Sequence, residues 1–91
     1  MSYRVLIAPV ARRQLTELPR GPLERVDEHI LALAEDPRPA GAKHLDRDLW
    51  RVRAGDFRIV YSIRDEEAAV VVVIIANRKV VYRLLRRMGL L

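Results

Sequence analysis

The run Ala-Val-Val-Val-Val-Ile-Ile-Ala, residues 69–76, limits what this chain can become more than any other stretch. It is apolar throughout and dominated by β-branched side chains, which suit a pleated strand. It has the length of a strand and falls far short of the ~20 apolar residues that a membrane-spanning helix needs. A strand with one wet face would alternate polar with apolar. An unbroken run predicts an inner strand, covered on both faces.

The strands that could flank it stand close by in sequence. Leu49–Ile63, "LWRVRAGDFRIVYSI", reads as two strands around a Gly55-Asp56 turn, and "RDEEA" forms the next turn into the apolar run. At the N-terminus, Ser2–Ala8 is a further strand, stopped by Pro9. Pro9 opens a helix carrying Ala11, Leu15 and Leu18 on one side; Pro19–Pro22 breaks it and starts a second. In that second helix Leu23, Val26, Ile30 and Leu33 recur at helical spacing, leaving Glu24, Arg25, Asp27 and Glu28 for solvent. The two helices form an antiparallel hairpin. Asp36–Asp48 has turn formers and no periodicity and reads as a loop, and the tail from Asn77 is a short helix or a last strand. The expectation is one α+β domain over residues 1–91: a small, mostly antiparallel four-stranded sheet with an N-terminal α-hairpin packed on it, in the order β-α-α-β-β-β.

Composition narrows the chemistry. With 91 residues there is room for one small core. The absence of cysteine excludes disulfides and thiolate metal sites, and two histidines, His29 and His44, are too few for a convincing metal cluster. The apolar run ahead of the first arginines is too short for a signal peptide, so a cytoplasmic protein without membrane attachment is the expectation. Seventeen Lys and Arg face 12 Asp and Glu, a net charge of +5 that suits a polyanionic partner.

Placement of the arginines sharpens that inference. A two-residue Gly-Asp turn sets Ala54 opposite Phe57, Arg53 opposite Arg58 and Arg51 opposite Val60. Trp50, Val52, Ala54, Phe57, Ile59, Tyr61 and Ile63 then share the core face, while Arg51, Arg53 and Arg58 share the other. Like charges directly across a strand pair destabilise it. Three arginines gathered in this way suit a bound anion better than bare solvent. With a turn at Asp65–Ala68, Phe57 pairs with Ala76, and the chain delivers Arg78 to the end that carries Arg53 and Arg58. A helical tail puts Tyr82 four residues on, over the same face.

Arginine forks bind phosphate bidentately and stay charged, but they are poor proton carriers. Tyr82 is the best candidate for proton transfer, since guanidinium groups favour the ionised form of a nearby phenol. A tyrosine also stacks on bases. RNA brings its own nucleophile, the 2′-hydroxyl, so cleavage without metal or cofactor needs few protein groups. His44 beside Lys43 is a surface pair with at most a phosphate contact, and "RRMGLL" at the C-terminus is either a basic patch or a helix end.

The stretch "KHLDRDLWRVRAGDFRIVYSIRDEEAAVVVVIIANRKVVYR" resembles the RelE/ParE superfamily of bacterial toxins, within it the RelE-like branch. The likeness lies in lysine-x-leucine, an "LWRxRxGDYRxxY" hairpin, an apolar strand, and an arginine followed by "VYR". It implies a toxin of a type II toxin–antitoxin system: a ribosome-dependent endoribonuclease that cuts mRNA through attack by the 2′-hydroxyl. The family's catalytic roles fall by motif on Arg58, Arg78 and Tyr82, with Arg51, Arg53, Lys43, Lys79 and Arg83 as contacts to RNA. Some relatives carry lysines where this chain has Arg51 and Arg53, which leaves Tyr82 more of the proton transfer. Asn77 stands where a second polar helper is expected. The implied partners are a cognate antitoxin, the ribosome with its mRNA, and operator DNA through the antitoxin complex. The alternative within the same fold is a ParE-like inhibitor of DNA gyrase that cuts no RNA.

Overall fold

The computed structural model describes residues 2–91. The elements follow as β1 (Arg4–Ile7), α1 (Pro9–Thr16), α2 (Arg20–Glu35), β2 (Lys43–Asp46), β3 (Leu49–Ala54), β4 (Phe57–Arg64), a single 3₁₀ turn (Asp65–Glu67), β5 (Ala69–Asn77) and α3 (Val81–Arg87). The sheet has five strands in the order β1-β5-β4-β3-β2. All neighbours are antiparallel except β1 and β5, which run parallel with Val5 beside Val70. The α+β class and the α-hairpin stand as expected, with one strand more. That strand is β2, inside the segment expected to be a loop: Lys43 pairs with Arg51 and His44 with Trp50, and a bulge then shifts Asp46 to Leu49. Four residues interrupted by a bulge carry too short an alternation to be visible as a strand.

The apolar run is β5, and both of its faces are covered. One face bears Val70, Val72 and Ile75, packed with Val52, Ile59 and Tyr61 of the sheet and Ala11, Val26, Ile30 and Leu33 of the two helices. The other bears Ile74 and Ala76, packed with Leu49, Val60, Val81 and Leu85, so α3 lies on the side opposite α1 and α2. Pro9 sits in the first turn of α1, where its missing N–H costs nothing, and Pro19 precedes the first residue of α2. The α1 helix also completes the sheet beyond the end of β1: Gln14 Oε1 accepts the backbone N–H of Ile75 at 2.7 Å. Without it that N–H would face the apolar underside of a helix.

The β3–β4 hairpin has the expected register throughout, with Ala54 opposite Phe57 and Arg53 opposite Arg58. Gly55 has φ +64, and Gly with positive φ at the first central position is the pattern of a type II′ turn. The β4–β5 hairpin departs from its expectation. The turn is as expected, with Arg64 opposite Ala69, but the register shifts by one between Val60 and Tyr61, so Phe57 pairs with Asn77 and not with Ala76. Val73 is the extra residue of this bulge, and both it and Ile74 belong to the α3 side, whereas Val72 and Ile75 belong to the other. An eight-residue run with no polar marker holds no signal for which residue is squeezed out. Among the described residues no helix is long and apolar enough to cross a membrane.

Candidate functional site

One corner of the α3-side face collects the arginines. Arg51 and Arg53 stand two apart on β3, and Arg58 faces Arg53 across the hairpin. The bulge does not prevent delivery of Arg78: its backbone N–H donates to Asp56 O at 2.8 Å, which ties the chain leaving β5 to the β3–β4 turn. Its guanidinium lies 3.8 Å from the Asp56 carboxylate, and both side chains are exposed. Tyr82 follows in the first turn of α3, half-buried against the cluster that seats the helix.

The charges of these groups act on Arg58 together. The Arg58 guanidinium is held below its ordinary value, first by burial, then by the charges of Arg53, Arg51 and Arg78, with Tyr82 acting in the opposite sense. Arg58 donates to two backbone carbonyls, Gly55 O and Phe57 O, each at 3.0 Å. These bonds aim its fork along the hairpin end without neutralising it. Among the described residues, none of Arg51, Arg53 and Arg58 has a carboxylate within salt-bridge distance.

Arg51 was expected on an open face and is instead buried, with only 7% of its surface accessible. Its Nε is sealed from solvent and, among the described residues, has no hydrogen-bond partner. A buried donor without an acceptor costs about 1–3 kcal/mol, and such a group needs a reason. Sequence alternation assigned the face correctly, but it could not show that this face carries a second core cluster, formed with α3.

The remaining assigned residues lie around this corner. Lys43 is exposed on β2, directly across from Arg51. Lys79 is exposed beside Arg78, its backbone N–H held by Asn77 Oδ1 at 2.9 Å, so Asn77 shapes the turn into α3. Arg83 is exposed next to Tyr82. None of the three is among the charges that act on Arg58, so they border the cluster without belonging to it. His44 turns to the opposite face, its ring 4.9 Å from that of Trp50 and its Nε2 against the carbonyl of Arg47.

Chemically, the corner is a set of four fixed cations, one of them buried and unsatisfied, with a phenol at the edge. It suits a phosphodiester backbone held by several forks at once.

Comparison with known proteins gives a consistent result. A family model described as the ParE toxin of type II toxin-antitoxin system, parDE, matches residues 5–82. Toxin RelG of Mycobacterium tuberculosis (strain ATCC 25618 / H37Rv) is 36% identical over 87 residues, covering 91% of this chain and 99% of that protein. The toxin-antitoxin complex RelBE2 from Mycobacterium tuberculosis contains a chain 32% identical, matched with a TM-score of 0.75 over 86% of this chain and 100% of that one. The archaeal RelE-RelB complex from Pyrococcus horikoshii OT3 matches at 27% identity and a TM-score of 0.74, over 86% of this chain and 97% of that one. The isolated E. coli RelE toxin, at 19% identity, shares the fold, with a TM-score of 0.75 over 96% of this chain and 99% of that one.

Proposed function

Since the chain belongs to the RelE/ParE superfamily of type II toxin–antitoxin toxins, we propose that it is a ribosome-dependent endoribonuclease whose site is the arginine corner. The observation that carries this reading is the gathering of Arg51, Arg53 and Arg58 beside Arg78, the first three with no carboxylate within salt-bridge distance among the described residues. A phosphodiester would supply the negative charge that these groups lack. Arg51 and Arg53 hold the backbone, with Lys43, Lys79 and Arg83 as outer contacts.

The chemistry needs a base, an acid and charge stabilisation. Tyr82 acts as the base that takes the proton of the 2′-hydroxyl, whose oxygen attacks the adjacent phosphorus. The bond from phosphorus to the 5′-oxygen breaks, leaving a 2′,3′-cyclic phosphate on one fragment. The departing 5′-oxygen takes its proton from solvent water to complete the 5′-hydroxyl of the other, and Arg58, which stays charged, stands with Arg78 beside the phosphoryl group. Arg78 faces the extra charge that develops on the phosphoryl oxygens. The ribosome fits as the agent that presents a translated mRNA in the bent shape required for in-line attack.

The partner that restrains this activity is a small antitoxin, a reading supported by the RelBE2 and RelE-RelB complexes among the relatives. An acidic or amphipathic segment would answer the arginines or displace the C-terminal tail; operator DNA enters through that complex. Tyr82→Phe and Arg78→Ala test the site: each is expected to lower mRNA cleavage about 10²–10⁴-fold with the thermal midpoint little changed. Full activity in both variants overturns the assignment. The match to a ParE-toxin family model favours a second reading, inhibition of DNA gyrase without RNA cleavage, which a supercoiling assay distinguishes.

A further inference from the structure

Arg53 borders two separate features. Its charge acts on Arg58 in the basic corner, and its side chain also lines a cleft of about 270 Å³ at the edge of the sheet. The cleft lies where β2 begins at Lys43, opposite Arg51, and the edge of β3 beyond that point has no strand beside it among the described residues. The chain ahead of β2 bends away in a turn, with Ala42 N–H donating to Pro39 O at 3.0 Å and Gly41 at φ +90. Pro39 and Gly41 form the lip; Leu33 and Val52 supply apolar walls, and His29 of α2 supplies the polar group. The volume lies just below the ~300–1,000 Å³ of drug-sized sites, which suits a single planar base.

His29 has a defined hydrogen-bonding sense. Its Nδ1 lies 2.8 Å from the carbonyl of Arg25. A carbonyl only accepts, so Nδ1 carries the proton, and in the neutral ring Nε2 is left as an acceptor. Adenine, cytosine and guanine each offer such an acceptor an exocyclic amine that projects from the ring. Uracil has no exocyclic amine, and its one base donor is a ring imide N–H set back between two carbonyl oxygens.

We propose that this cleft is a base subsite: the nucleotide whose phosphate Arg53 holds places its base between Pro39 and Val52, and His29 selects a base with an exocyclic amine over uracil. The inference rests on the ribonuclease reading, and it names a specificity residue on α2, an element outside the corner.

The test is 5′-end mapping of fragments from a mixed mRNA pool in cell-free translation, scoring the base at each position beside the cut. For the wild type, adenine, cytosine and guanine are each expected over uracil about five- to tenfold at one such position, the worth of one hydrogen bond. His29→Phe keeps a flat ring without the acceptor, and that ratio should fall close to one. Ala32→Leu fills the cleft from an exposed helix position that tolerates the change, and should erase the same ratio. An unchanged ratio in both variants overturns the subsite alone. No cleavage by the wild type overturns the ribonuclease reading, and the subsite with it.

Discussion

Replacing Arg51 with methionine should make the protein more stable and less functional at once. The guanidinium is buried to all but 7% of its surface, its Nε lacks a partner among the described residues, and it lies close enough to Arg58 to lower that group's pKa. An unsatisfied buried donor costs about 1–3 kcal/mol, and methionine fills a similar volume with no polar atom. Relief from the neighbouring cations adds to this. A gain of about 1–3 kcal/mol is therefore expected, and each kcal/mol raises the midpoint of a domain this size by roughly 4–8 °C. Urea titration at pH 7 measures it directly, with the m-value checked for constancy. The same titration in inorganic phosphate should stabilise the wild type more than the variant, because the variant has one cation fewer at the corner to favour the anion. A loss of 1 kcal/mol or more in Arg51→Met would refute the reasoning and make Arg51 a structural anchor.

Two further outcomes follow from groups outside the corner. Tyr61 is fully buried and donates to Pro37 O at 2.7 Å, and burial pushes its hydroxyl up to about 12. A raised value means that the unfolded chain ionises first, so this contribution is complete below pH 10 and is lost as pH rises from 10 towards 12. Tyr61→Phe should cost about 1 kcal/mol at pH 8 and flatten stability between pH 10 and 11.5 in urea titrations, whereas an unaltered alkaline limb would contradict it. Asp65 accepts from Arg38 at 2.9 Å and from Tyr3 at 2.7 Å, and these bonds, Arg38 first, hold its carboxyl below the usual range. Its contribution is present above the ordinary value of 3.8 and lost as pH falls through the lowered one. Asp65→Asn should thus lower the thermal midpoint at pH 7, with the gap closing below pH 4; a gap independent of pH would exclude the ion pair as its cause.

Local rules carried the fold a long way. The turn chemistry of Gly55-Asp56 sufficed to set the β3–β4 register residue by residue, and with it the gathering of Arg51, Arg53 and Arg58 on one face. The unbroken run at Ala69–Ala76 implied cover on both sides, and α3 provides the second cover. What stayed hidden depends on contacts distant in sequence. The bulge at Val73 follows from fitting β5 between β1 and β4, and its neighbours are all apolar, so no residue type marks it. Strand β2 is held by pairing with β3 and not by its own pattern. Arg51 is buried on the face that carries a second core cluster with α3, a face that alternation alone would leave wet. The cleft beside Arg53 needs Leu33 of α2, Pro39 and Val52 together, and no motif joins them.

The most direct measurement is primer extension along an mRNA in a purified translation reaction, with the protein added in the presence and in the absence of ribosomes. Cuts that appear only with ribosomes, and vanish with Tyr82→Phe, are the predicted result. Intact mRNA with translation unimpaired would contradict the account and turn attention from RNA to gyrase.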